Sequence, residues 1–67
     1  MESKSRDEYR EEAILWLHRR NEYLEKVDTA STYDEVRLWG DKAAHATLEL
    51  QMRASLAGLE SIEELEE

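Results

Sequence analysis

"EVRLWGDKAAHATLEL", residues 35–50, is the stretch on which the fold turns. If one helix runs through Gly40, the chain is a two-helix hairpin. If Gly40 and Asp41 make a turn and an N-cap, residues 32–39 become a short helix and a third begins near Lys42. The stretch gathers small residues, Gly40, Ala43, Ala44, Ala46 and Thr47, within what otherwise reads as the longest helix of the chain. A helix thinned in this way offers a hollow to a bulky neighbour, as interdigitated helix packing requires. Gly40 would then let two backbones approach, at a local cost of about 1 kcal/mol relative to alanine. We read the stretch as one continuous helix.

Working outward, Thr32 and Glu35 form a capping box, the serine/threonine-x-x-glutamate pattern that satisfies orphan backbone donors at a helix start. From there Val36, Trp39, Gly40, Ala43, Thr47, Leu50, Ala54 and Ala57 recur at helical spacing, and Gly58 stands where a left-handed C-terminal cap belongs. Upstream, "VDTAST" (27–32) is rich in residues that favour caps and turns. Before it, Ser5 and Glu8 form another capping box, followed by an apolar stripe of Tyr9, Ala13, Trp16, Leu17, Leu24 and Val27. The expected helices therefore cover about residues 6–27 and 33–57. Matched lengths and a short connection favour an antiparallel hairpin. A turn near residue 30 sets Trp16 opposite Ala43, Ala44 and Thr47, Ala13 opposite Thr47, and Leu24 opposite Val36, so Trp16 is expected to touch Ala43 or Thr47.

Composition agrees with an all-α chain. Proline and cysteine are absent, and among 67 residues only Gly40 and Gly58 are glycine. The missing cysteines exclude disulfides, thiolate zinc sites and cysteine nucleophiles, and fit a reducing compartment. "MESKSRDEYREE" (1–12) carries charges where a signal peptide needs an apolar run, and no stretch approaches the roughly 20 apolar residues of a membrane span. The expectation is a cytoplasmic protein. The net charge of −8 is uneven: residues 1–59 hold twelve acids and nine bases, while "ESIEELEE" (60–67) adds five acids and no base. The chain thus divides into a hairpin domain, 1–59, and an acidic tail, 60–67. Ser61 and Glu64 can cap one short turn there, but the repelling glutamates should leave an isolated tail frayed.

A second apolar row runs beside the first on helix 2: Leu38, His45, Leu48, Met52, Leu56 and Leu59. Two helices cannot cover it, and an exposed apolar face on so small a domain marks a partner surface. The simplest partner is another copy, giving a dimeric four-helix bundle. Leu38, Leu48, Met52, Leu56 and Leu59 are accordingly the candidate partner-binding residues, joined by Ile62 and Leu65 as tail anchors for a groove lined with bases.

Other constellations carry less. Asp41, His45 and Glu49 share a helix face at i, i+4 spacing, but no glutamate lies three residues before either histidine, as the di-iron bundle pattern needs. His18 with Glu22 is an ordinary polar pair. The serines have no strand-turn-helix elbow, and no glycine-rich loop offers to hold phosphate. We expect no metal, no cofactor and no enzymatic activity. "KAAHATLELQMR" (42–53) brings only Lys42 and Arg53 as a recognition helix, too few bases for DNA phosphates. A competing reading is an RNA-binding dimer using Arg10, Arg19 and Arg20 on helix 1. In length and layout the chain resembles the plasmid copy-number hairpins of the repressor-of-primer type, which are four-helix dimers that grip paired RNA loops with one helix face. That resemblance is architectural and places no residue. The leading expectation is a small regulatory or adaptor module acting by occlusion or bridging, such as a phage or mobile-element inhibitor.

Overall fold

The computed structural model describes residues 4–65. Helix α1 runs Arg6–Asp28 and helix α2 runs Tyr33–Leu56, followed by a 3-10 turn at Ile62–Leu65. The two helices pack against each other as a hairpin, and α2 passes through Gly40 without a break. Both starts follow from local chemistry. Ser5 Oγ accepts from the Glu8 backbone N–H at 3.2 Å, and Thr32 Oγ1 accepts from that of Glu35 at 3.2 Å. At the end of α1, Thr29 folds its hydroxyl back onto the Glu25 carbonyl at 3.1 Å. Helix α2 ends in a left-handed glycine cap. Gly58 adopts φ 80°, its N–H reaches the Ser55 carbonyl at 3.0 Å, and the Leu59 N–H reaches Ala54 at 3.0 Å.

That cap turns the chain back toward the hairpin. Ser61 Oγ accepts from the Glu63 N–H at 3.1 Å, and the Glu64 carboxylate accepts from the Glu60 N–H at 2.9 Å, closing the short turn. Leu65 is thereby buried in one cluster with Ala13, Leu17 and Leu50, while Ile14, Trp16, Leu59 and Ile62 pack around it. The tail turn is therefore docked on the hairpin, which supplies the apolar partner that an isolated acidic segment lacks. Glu66 and Glu67 lie outside the described residues.

Between the helices the buried α2 side chains are mostly small: Ala43, Ala46, Ala54 and Ala57, with Leu50 the one large side chain fully enclosed among the described residues. Toward the turn the packing becomes aromatic, with Tyr23 and Trp39 stacked at 5.9 Å and 25°. Leu24 and Val36, expected to face each other, are each about half exposed. The ring partner of Trp16 is His45, edge to face at 5.7 Å. Gly40 requires a correction. A methyl group built there would meet nothing within 4 Å, so no close approach within the hairpin explains this glycine. The thinning that the fold uses is that of Ala43 and Ala46.

Candidate functional site: the outward side of helix α2

At 100° per residue, Leu48 and Met52 each lie two positions from buried Leu50 and so point about 160° away from it. Leu48 and Met52 therefore face away from α1, while Leu38, at the other end of the row, borders a cleft shared with α1. Leu48 is 66% exposed, Met52 and Leu56 are each 50% exposed, and Leu38 is 49% exposed. The other three expected anchors are placed differently. Leu59 and Ile62 are half-buried and Leu65 is buried, all packed on the chain's own core.

Charge sharpens the outline of this face. Acids, lysine and arginine make up 39% of the chain, yet between Ala43 and Leu59 every exposed residue (Ala44, His45, Leu48, Gln51, Met52, Ser55, Leu56 and Gly58) is none of these. The two charged residues of that stretch, Glu49 and Arg53, are half-buried and joined to each other. Charge depletion around large apolar side chains is the composition of an interface core rather than of a solvated helix face.

Arg53 also crosses to α1, where its Nε donates to Glu12 Oε1 at 3.0 Å, and Lys4 joins the far side of the same carboxylate. The Lys4 contact, with Arg53 behind it, holds the Glu12 carboxyl below its usual range. The bond to Glu12 raises the Lys4 ammonium, and Glu49 then Glu12 raise Arg53. In the sequence Arg53 counts only as one of two bases, too few for a DNA-recognition helix, and its pairing with α1 goes unread. The antiparallel pairing of the two helices was the available signal that it faces α1.

One flank of the hairpin is aromatic and cationic. Arg19 sits over the Trp16 ring at 4.7 Å, Arg53 over the same ring at 5.4 Å, and Lys26 over Trp39 at 4.9 Å. Trp16, Arg19, Tyr23, Leu38, Asp41, Lys42 and His45 line an open cleft of about 340 Å³ here. A larger open hollow, about 660 Å³, is bordered only by Glu22, Glu25, Lys26, Asp28 and Thr29 at the end of α1.

The three arginines of the RNA reading do not form one face. Arg10 and Arg19 are nine residues apart on a continuous helix, which puts them half a turn apart around its axis. Arg20 is half-buried and bonds Asn21 Oδ1 at 3.0 Å. In the row of Asp41, His45 and Glu49, His45 Nε2 stands 4.0 Å from a Glu49 carboxylate that Arg53 already holds. Among the described residues there is no cluster of three or more metal-ligating side chains, and no helix is long and apolar enough to cross a membrane. Compared with known proteins, the chain matches no family model, no curated protein and no solved structure.

Proposed function

We propose that this chain is a non-enzymatic protein-binding module whose docking face is the outward side of α2, and that it acts by covering or bridging the protein it holds. The observation that carries the reading is the row of half- to two-thirds-exposed Leu48, Met52 and Leu56, set among exposed residues without charge, which Leu38 continues beside Asp41 and Lys42. Burial of such side chains is worth about 1.5–3 kcal/mol each when complete, so a partner that covers half of each gains several kcal/mol from the row. Occlusion and bridging need no reactive group, only a rigid surface, and a hairpin with its termini capped and its tail docked provides one.

The test is affinity capture from lysate with three baits: the wild-type chain, Leu48→Glu with Met52→Glu, and Arg19→Glu with Arg20→Glu, each with and without nuclease. The reading expects proteins retained by the wild type and the arginine variant, insensitive to nuclease, and lost with the α2 variant while its far-ultraviolet circular dichroism stays helical. Capture that disappears with nuclease or with the arginine variant would overturn it in favour of nucleic-acid binding, which also weakens steeply with salt.

A further inference from the structure

Resting on that docking-face reading, we infer that the protein covering α2 is a second copy of this chain, packed antiparallel about a two-fold axis at Leu48. The positions Gly40, Ala44, Leu48, Met52 and Leu56 form a single i, i+4 ridge, the kind that interdigitates when two helices cross. The ridge is small on one side of Leu48 and large on the other. A two-fold axis at Leu48 sets Met52 of each copy against Ala44 of the other. Each methionine thus enters a hollow one turn from the axis, while Leu56 and Gly40, about 80° to either side of Leu48, lie at the rim, and the surface complements itself, as an isologous interface must.

Two further observations point to the second copy as the occupant. Ala44 is exposed, so the hollow that Met52 of the other copy would enter is open. Charge fits as well: across this axis Asp41 meets Ser55 and His45 meets Gln51, so no like charges oppose, while Glu49 and Arg53 are held to each other and Arg53 to α1. For a chain of net charge −8, this uncharged face is where two copies can approach. Because Leu48 and Met52 point away from α1, the dimer has α2 paired with α2 at its centre and α1 on the two outer sides.

The full-length chain tests this by sedimentation at about 100 µM and by oxidation of single-cysteine variants, which are clean because the chain has no cysteine. The expected mass is twice 7.9 kDa. Ala44→Leu, which fills an exposed hollow outside the hairpin core, should weaken association about tenfold or more with helicity unchanged. Leu48→Cys should form the disulfide-linked dimer about tenfold or more faster than Leu15→Cys, a comparably exposed site on α1. A wild-type chain of single mass at that concentration overturns the inference, and so does a Leu48→Cys variant no faster than Leu15→Cys. The capture experiment above separates the two readings. If the chain is monomeric but capture still depends on Leu48 and Met52, only the second copy falls. If capture ignores those residues, the docking face falls with it.

Discussion

Gly40 and Gly58, the two glycines of the chain, sit in opposite backbone situations, and substituting them should separate what each does. Gly58 adopts φ 80°, where a side chain is strained whatever the room around it, although an added Cβ would make only ordinary contact with the Arg6 side chain at 3.6 Å. Gly58→Ala should therefore cost about 1 kcal/mol, read as a lower midpoint in thermal or urea unfolding. Gly40 lies inside a regular helix with open space where a Cβ would go. In dilute solution Gly40→Ala should stabilise the hairpin by about 0.5–1 kcal/mol, through helix propensity and a less free unfolded chain. An unchanged or lower midpoint there would show that Gly40 serves a contact inside the hairpin. The role of Gly58 was legible because a C-terminal cap is a local signal. Gly40 was misread because glycine looks the same in sequence whether it admits a neighbour or faces open space.

At the scale of elements, both helix starts and the α2 stop were legible for the same local reason. The capping hydroxyls, the turn residues of 27–32 and Gly58 all act within four residues of the backbone groups they satisfy. The contacts that lock the elements together were not legible. Glu12 and Arg53 meet across 41 positions of sequence, and no helical periodicity pairs a charge on one helix with a charge on the other. Docking of the tail was equally hidden, because Leu65 reaches the Leu17 and Leu50 cluster only after the Gly58 cap has reversed the chain. Leu65→Ala should cost about 2 kcal/mol, the low end for a leucine truncated at the edge of a core, and should speed amide hydrogen exchange from residue 59 onward before it affects α1. The ion network predicts a sign for pH dependence. The Glu12 carboxyl is held down in the folded chain, so its contribution is present above its ordinary pKa of 4.5 and is lost as pH falls through the lower folded value. Lys4 is raised, so its contribution is present below its ordinary 10.5 and is lost as pH rises through the higher folded value. Unfolding midpoints followed from neutral pH into acid should drop less steeply in Glu12→Gln than in the wild type. Arg53→Ala should lower the midpoint at neutral pH, because it leaves Glu12 and Glu49 facing each other without their shared cation.

At the scale of the whole molecule, the hairpin is one helical layer. Its radius of gyration is 13.6 Å, where a compact domain of this length would have about 11 Å. Domains ordinarily bury an apolar face between packed layers, and here α2 turns one apolar face to α1 and a second to solvent. The sequence showed that two helices leave a row uncovered. It could not show the row's direction, which depends on which α2 residues α1 buries: Ala43, Ala46, Leu50 and Ala54. Once those are fixed, Leu48 and Met52 must point away from α1, and among the described residues nothing layers over them. A layer supplied by a second copy makes stability depend on concentration, because a dimer unfolds to two chains and mass action favours the folded side as protein is added. The thermal midpoint of the wild type should therefore rise over a hundredfold range of concentration, by an amount set by the roughly 2.7 kcal/mol that such a change in concentration represents. Ala44→Leu should flatten that dependence while keeping its helical signal, since Ala44 is exposed in the single chain and stands where Met52 of the second copy would enter. A wild-type midpoint that stays constant over the whole range would mean that the single layer is stable alone and that its apolar side is held for a different protein.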